Sequence, residues 1–282
     1  MKNNLYNDEY EINMDLNLKR IWIMGDIHGQ YIPIENFYNR NKDKINFSKE
    51  TDCIILVGDV GANYYLNERD EKFKTKLETF PFTYFCMRGN HEERPSNLIR
   101  SNSEQLWSCE NFFDNLVFVE INHPYIKYAR DDVAVYNING YKTLVIPGAY
   151  SADKYYRLMQ HWNWFKDEQL TEEEMKRGRC LIQANDYKFD LILSHTCPIS
   201  YEPSDLFLST IDQSTVDKTM ERYLGEIEYC TDYKIWVWGH FHKYRIYPLY
   251  EGKQCVMLSD GKEAINILEC LQDYAKLFTP NY

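Results

Sequence analysis

No apolar run in this chain approaches the roughly 18 residues that a membrane-spanning helix requires, so a membrane span is not expected. The opening stretch MKNNLYNDEYEINMDLNLKR lacks the apolar core of a secretory signal, which leaves a cytoplasmic location as the expectation. Cysteine is present but never closely paired. The eight, at positions 53, 86, 109, 180, 197, 230, 255 and 270, form no CxxC motif and no short-range framework, and read as reduced thiols. Basic residues are in the minority, 32 Lys and Arg against 43 Asp and Glu, and the formal charge of -11 argues against broad binding to long nucleic acid or an anionic membrane. A phosphate-bearing substrate is still allowed, because cations held in a site make it locally positive. There is no internal repeat, no low-complexity segment and no linker rich in Pro, Gly or Ser, so a polar leader over residues 1–18 followed by one domain over 19–282 is expected. At 44% hydrophobic and 16% aromatic, the chain has material for one large core.

Five short apolar runs each stop at a residue able to bind metal: RIWIMGDIHG (20–29), CIILVGD (53–59), FTYFCMRGNH (82–91), DLILSH (190–195) and KIWVWGHFH (234–242). In an open α/β protein the loops beyond the carboxyl ends of neighbouring strands converge on one crevice, so residues scattered along the chain can meet there. The collected set is Asp26, His28, Asp59, Asn90, His91, His195, His240 and His242. Asp26 and His28 are two apart, as are His240 and His242, and in extended chain such neighbours point the same way. Gly25, Gly29, Gly58, Gly89 and Gly239 flank them, where a missing side chain permits tight turns. Asp59 has two oxygens and can bridge two ions, while Asn90 offers a neutral carbonyl. Nitrogen and oxygen donors without thiolate suit manganese first, with iron, zinc, cobalt or nickel as alternatives, better than a closed structural zinc site. Two such ions ~3.5 to 4 Å apart can hold a bridging hydroxide and offset the charge of a phosphoryl transition state.

The rest of the pattern alternates strands and helices. Strands are expected at 20–24, 52–57 and 82–87, with helices between them at about 31–44 and 66–79, which predicts parallel pairing. Residues 133–138 and 141–146 read as a hairpin about Asn139-Gly140 and suggest a second sheet packed on the first. Thr171 is a candidate N-cap with Glu174 as its capping-box partner, and a further helix is expected over 214–229. Strands are expected at 190–194, 234–238, 244–249 and 253–258.

The blocks GDIHG (25–29), GD (58–59), GNHE (89–92), SH (194–195) and GHFH (239–242), all present and in this order, resemble the calcineurin-like metallophosphoesterase family. The resemblance implies a four-layer α/β/β/α sandwich, two mixed sheets flanked by helices. It implies one metal on Asp26, His28, Asp59 and His242, and a second on Asn90, His195 and His240 with Asp59 shared. His91 is implied to be no ligand but to lie beside the scissile phosphate, stabilise the transition state and protonate the leaving oxygen. The implied activity is hydrolysis of phosphate mono- or diesters by a metal-bridging hydroxide, with His91, Asn90 and Asp59 as the catalytic residues.

Departures from the family's subgroups narrow the substrate. Protein phosphatases that it resembles extend the second block to GDxVDRG, whose second Asp orients the catalytic His and whose Arg holds phosphate. Here GDVGANY places Ala62 and Asn63 there, although MRGNHE at 87–92 does match the protein-phosphatase form. A small phosphorylated molecule or nucleotide is therefore the favoured substrate, with a serine/threonine phosphatase, a nuclease or cyclic-nucleotide phosphodiesterase, and a catalytically silent scaffold as alternatives; protein partners stay open. Candidate phosphate contacts are Arg94, three residues beyond His91, and Lys154 and Arg157 in VIPGAYSADKYYRLMQHWNWFKDEQL (145–170). That segment is either a substrate-facing loop or a helix whose aromatic residues pack on the sheet. Tyr64 and Tyr65 are placed to edge the cleft. His123 and His161 read as structural histidines, and Glu92 as a salt-bridge partner of Arg88 or Arg94.

Overall fold

The computed structural model describes residues 18–102, 106–207, 209–248 and 250–278. The leader expected over 1–18 lies outside the described residues except for Leu18, which is buried in the core. In chain order the strands are β1 (Arg20–Met24), β2 (Asp52–Val57), β3 (Thr83–Met87), β4 (Trp107–Phe112), β5 (Asn115–Glu120) and β6 (Ile126–Tyr128). There follow β7 (Ala134–Ile138), β8 (Tyr141–Ile146), β9 (Leu191–Ser194), β10 (Ile235–Trp238), β11 (Arg245–Ile246), β12 (Gln254–Met257) and β13 (Ile265–Asn266). The α-helices are α1 (Ile32–Asn41), α2 (Glu68–Leu77), α3 (Pro95–Asn102), α4 (Lys154–Met159), α5 (Glu172–Ala184), α6 (Thr219–Cys230) and α7 (Ile267–Gln272).

Among the described residues the strands make two mixed sheets, ordered β13-β1-β2-β3-β6-β5-β4 and β11-β12-β10-β9-β8-β7. Strands β1, β2 and β3 pair in parallel, as do β8, β9, β10 and β12, while β7 and β11 are antiparallel edges. Each apolar run serves two cores by the period-2 alternation of a strand. Ile21, Ile23, Ile55 and Val57 of the first sheet meet Leu191, Leu193, Val237 and Val256 of the second in a core between the sheets. Their neighbours Trp22, Met24, Ile54 and Leu56 face outward under Ile34 and Phe37 of α1 and Phe73 and Leu77 of α2. Ile192, Trp236 and Trp238 likewise face Met175 and Ile182 of α5 and Leu224 and Ile227 of α6. Helix, sheet, sheet and helix are thus stacked in four layers, as expected. Burying a ring such as Phe37 stabilises such a layer by about 1.5 to 3 kcal/mol.

Local signals set the ends. Asn67 caps α2 by accepting from the Arg69 amide, with acidic residues in its first turn and Lys74 and Lys76 in its last. Thr171 and Glu174 form the expected capping box at the start of α5. The β7–β8 hairpin turns at Asn139 and Gly140, both at positive φ (50° and 86°). The helix expected from 214 begins instead at Thr219, because Asp212 holds a short 3-10 turn at Gln213–Thr215 and Asp217 accepts from the Thr219 amide. The strand expected over 244–249 is reduced to Arg245–Ile246, since Pro248 has no N–H for the ladder; residue 249 lies outside the described residues. The β4–β5 hairpin carries no glycine signal: its turn places Phe113 and Asp114 at positive φ without one.

Register brings the strand ends level. Met24 lies opposite Leu56, and Val57 opposite Met87, while in the second sheet Val237 lies opposite Leu193. The loops that follow β1, β2, β3, β9 and β10 therefore open on the same rim.

Candidate metal centre

Those five loops carry the candidate ligands. Asp26 and His28 follow β1, Asp59 follows β2, Asn90 and His91 follow β3, His195 follows β9, and His240 and His242 follow β10. Four of these residues, His28, Asp59, His240 and His242, adopt positive φ (46°, 47°, 70° and 55°), a conformation that non-glycine residues hold only when their surroundings force it. Gly58 lies beneath them at φ 98°, and a Cβ there would sit 2.1 Å from His195 Nδ1. The turn after β2 has to be this tight for His195 to reach the centre.

Asp59 stands in the middle. Its Oδ1 accepts from the His91 amide at 2.9 Å and lies 3.4 Å from His195 Nε2, while its Oδ2 lies 3.5 Å from His91 Nδ1 and 3.9 Å from His28 Nδ1. Asp26 accepts from the His240 amide at 3.1 Å, and its Oδ2 lies 3.9 Å from His28 Nε2. His195 bonds Val57 O through Nδ1 and Asn90 Oδ1 through Nε2, both at 2.9 Å. Donor atoms within 4.8 Å of one another group Asp26 with His28 and His242, Asp26 with Asp59 and His195, and His28 with Asp59 and His91. The His240 ring stacks edge-on to His195 with centroids 5.0 Å apart.

The donor set fits divalent cations. Asp26 and Asp59 are both wholly buried, and burial together with Asp59 pushes the Asp26 carboxyl up. His195 answers them: burial opposes its charge, but Asp59 and Asp26 push its imidazole up to about 9, so a proton sits where a cation would relieve the same repulsion. His28 Nε2 is buried with no hydrogen-bond partner among the described residues, as expected of an atom that awaits an ion. His240 is held well below the usual histidine range, first by burial and then by His195, which leaves it a neutral donor.

A supporting layer fixes these groups, and the sequence patterns did not single it out. Asn90 Nδ2 donates to Ser151 Oγ at 2.9 Å, and Ser151 in turn donates to Glu168 at 2.5 Å, so the amide is oriented with its oxygen toward His195. Asp260 bonds His242 Nδ1 and holds that ring. Ser151, Glu168 and Asp260 lie far from the ligand blocks in sequence, and only the fold brings them in. Glu92 does not pair with Arg88 or Arg94 as expected. Its carboxylate accepts from the Gly61 amide (2.8 Å) and the Gly89 amide (3.1 Å), tying the β2 and β3 loops together, and burial pushes it up to about 8.

Of the three candidate phosphate contacts, the structure brings only Arg157 to the centre. Its guanidinium donates to Asp153 (2.8 Å), to Tyr64 Oη (3.0 Å) and to His91 Nδ1 (3.2 Å). Arg94 points elsewhere: it is buried against Glu174 (2.6 Å) and the carbonyls of Asp167 and Gln169, so its charge is already matched. Lys154 lies over the Trp164 ring at 4.1 Å. Ala62 and Asn63 are buried beneath the loop and provide no carboxylate for His91. The segment 145–170 is mixed in character, with Phe165 buried under Tyr64 while Trp162 is half exposed on the wall of a cavity beside His91. His123 is the hydrogen-bonded structural residue expected, between Glu71 and Glu78 at 3.1 Å each. His161 instead lines that same cavity.

The sequence model of the calcineurin-like phosphoesterases matches residues 19–244, from the residue before β1 to the residue before β11. Among solved structures, a phosphopantetheinyl hydrolase (PptH) from Mycobacterium tuberculosis is 13% identical, with 88% of this chain and 92% of that one covered at TM-score 0.44. A dimetal phosphatase from Danio rerio is 10% identical, covering 87% and 88% at TM-score 0.47. A further solved chain is 11% identical and covers 89% and 96% at TM-score 0.50, a likeness of fold. No curated protein matches the chain significantly.

Proposed function

We propose, on the premise that this chain belongs to the calcineurin-like phosphoesterase family and is a metal-dependent phosphoester hydrolase, that it works with two divalent cations on a small phosphorylated molecule or nucleotide. Asp26, His28, Asp59 and His242 would hold one cation; Asn90, His195 and His240, with Asp59 shared, would hold the other. When bound, the pair would supply Lewis acidity toward the phosphoryl oxygens and an activated hydroxide, with manganese the first choice. The observation that carries this reading is the convergence of two buried carboxylates with imidazoles from the strand ends, in groups of three whose donor atoms lie within 4.8 Å of one another.

The chain's own residues divide the remaining work. Asp59 orients two histidines and the His91 amide, so that one buried carboxylate sets the positions of groups from three strands. Arg157, a permanent cation, donates to His91 Nδ1, which makes Nδ1 an acceptor and leaves the ring proton on Nε2. The neutral ring then has a single donor to offer a leaving oxygen. This is how His91 is oriented where the GDVGANY loop has no Asp to do it. Asn90, next to His91 in the chain, would help balance negative charge that develops at phosphorus.

Metal analysis of protein purified without chelator and supplied with manganese tests the reading, with Asp59→Asn as the companion. About two ions per chain, and loss of metal and activity together in the variant, are expected. Fewer than about one ion per chain, or an Asp59→Asn enzyme that keeps full turnover, would overturn it. His91→Ala should retain both metals and lose far more rate on alkyl esters than on p-nitrophenyl phosphate.

A further inference from the structure

Two cavities meet at His91. The first, of about 470 Å3, is walled by Tyr64, Tyr65, Arg69, Arg157 and Trp162 next to His28. The second, of about 380 Å3, is walled by Leu206, Phe207, Ile211, Val216 and Phe241 next to Asp59, Asn90 and His240. The candidate centre lies between them.

Their walls differ in chemistry. In the first, Tyr64 and Tyr65 meet edge to face at 4.7 Å, and Trp162 is braced by Tyr156 at 5.5 Å while half of its own surface stays open. Asn163 Nδ2 donates to Tyr64 O at 2.6 Å, so the Trp162 loop is tied to the Tyr64 loop and the aromatic faces are held in place. Arg69 lies over the Tyr65 ring at 3.5 Å. Such a wall suits a planar ring. In the second cavity the apolar side chains share the wall with Glu202, Gln213 and Glu221, the last only 5% exposed. Glu221 Oε1 accepts from Thr196 Oγ1 at 2.8 Å, but its Oε2 is buried without a partner among the described residues. A buried carboxylate oxygen left in this way costs free energy that a hydroxyl brought in by a ligand would recover. Lys218, on the same wall, is already matched by Glu202 at 2.5 Å.

We infer that the substrate is a phosphodiester with two organic arms, a planar aromatic arm in the Tyr64–Trp162 cavity and an apolar, hydroxyl-bearing arm in the Val216–Glu221 cavity. This rests on the hydrolase reading of the centre between them. A monoester would fill one cavity and leave the other's apolar wall uncovered and Glu221 Oε2 still without a partner. In the reaction, water adds to phosphorus as hydroxide and the P–O bond to one arm breaks with its electron pair on that oxygen. His91 gives that oxygen a proton and regains one from the water, so that the products are one alcohol and one phosphomonoester.

The test compares thymidine 5′-(p-nitrophenyl phosphate), methyl p-nitrophenyl phosphate and p-nitrophenyl phosphate on the manganese-loaded enzyme. The leaving group is common to all three and only the second arm changes. The thymidine diester should exceed the methyl diester in kcat/KM by about tenfold or more, through KM, as expected for filling an apolar pocket and pairing a buried acceptor. Val216→Trp, which fills the second cavity, should bring that ratio below about threefold, and Glu221→Gln should lower it without a change of volume. Calorimetric binding of thymidine 5′-monophosphate should weaken in parallel. If Val216→Trp fails to fold, as judged by circular dichroism, Glu221→Gln decides. A ratio near one in the wild-type enzyme, or a ratio that survives both substitutions, would overturn the two-arm inference alone. Failure to hydrolyse any of the three with any divalent metal would overturn the hydrolase reading beneath it.

Discussion

Replacing Arg157 by lysine separates two roles that a cation beside His91 can play. The guanidinium reaches three acceptors at once, Asp153, Tyr64 Oη and His91 Nδ1, from a side chain that is only 7% exposed. Lysine keeps the positive charge but presents it at one point, and its ammonium cannot span three separated acceptors. The bond expected to be lost is the one to His91 Nδ1, because Asp153 is one helical turn away on the same element and carries the opposing charge. A hydrogen bond to a charged group contributes about 1.5 to 3 kcal/mol, and roughly 1.4 kcal/mol is a factor of ten. The proton-donating efficiency of His91 should therefore fall about 10- to 150-fold. That loss should appear in kcat on an alkyl phosphoester, whose leaving oxygen needs a proton. It should nearly vanish with p-nitrophenol as the leaving group, where the expected change is at most about threefold. Steady-state kinetics on a series of leaving groups of graded pKa provide the assay, and the slope of log kcat against leaving-group pKa is the readout. A uniform loss across the series would mean that Arg157 holds phosphate and does not position His91. No loss at all would refute both roles.

Gly58→Ala places a side chain at φ 98°, 2.1 Å from a buried imidazole that is fixed on both nitrogens, so the expected cost is about 2 to 4 kcal/mol in urea unfolding together with loss of bound metal. Wild-type stability with full metal content would show that the β2 turn relaxes freely. At His123 burial opposes protonation, yet the hydrogen bonds to Glu78 and Glu71 carry its imidazole above 6.5; burial also opposes the charge of both carboxyls, but Lys74 first and then His123 hold Glu71 below 4.5, and His123 holds Glu78 below it. The histidine's contribution is complete below pH 6.5 and is lost as the pH rises through its raised value; the carboxylates' contribution is complete above 4.5 and is lost on acidification below it. Melting temperatures of wild type and His123→Gln should thus differ most between these limits and converge at alkaline pH, and a gap that is constant with pH would refute the coupling. Thr171→Ala removes half of the capping box of α5 and should cost about 0.5 to 2 kcal/mol in thermal or denaturant unfolding, with metal content unchanged.

How much of this was legible beforehand follows from where each signal resides. The runs that end in candidate ligands are readable because a strand buried on both faces is continuously apolar, and the first polar residue after it stands out, as Asp26 does after RIWIM. The Asn139-Gly140 turn and the Thr171 cap were readable because both are decided within four residues. The β4–β5 hairpin was not, since its turn uses Phe113 and Asp114, neither of which announces positive φ. Arg94 and Arg157 looked alike as cations near ligand blocks. Only packing tells them apart, because Glu174 on α5 neutralises the first, while Asp153 and Tyr64 hold the second against His91.

Which residues end each strand, and with them the candidate donor set, can be read from the chain because strand ending and donor chemistry are local properties. The tertiary structure decided what stands behind those donors: Ser151 and Glu168 behind Asn90, Asp260 behind His242, Arg157 on His91, and two unlike cavities on either side. Asp260 is 18 residues from His242, Ser151 61 from Asn90 and Arg157 66 from His91, and their proximity is set by sheet register and helix packing, which leave no periodicity for a sequence to display.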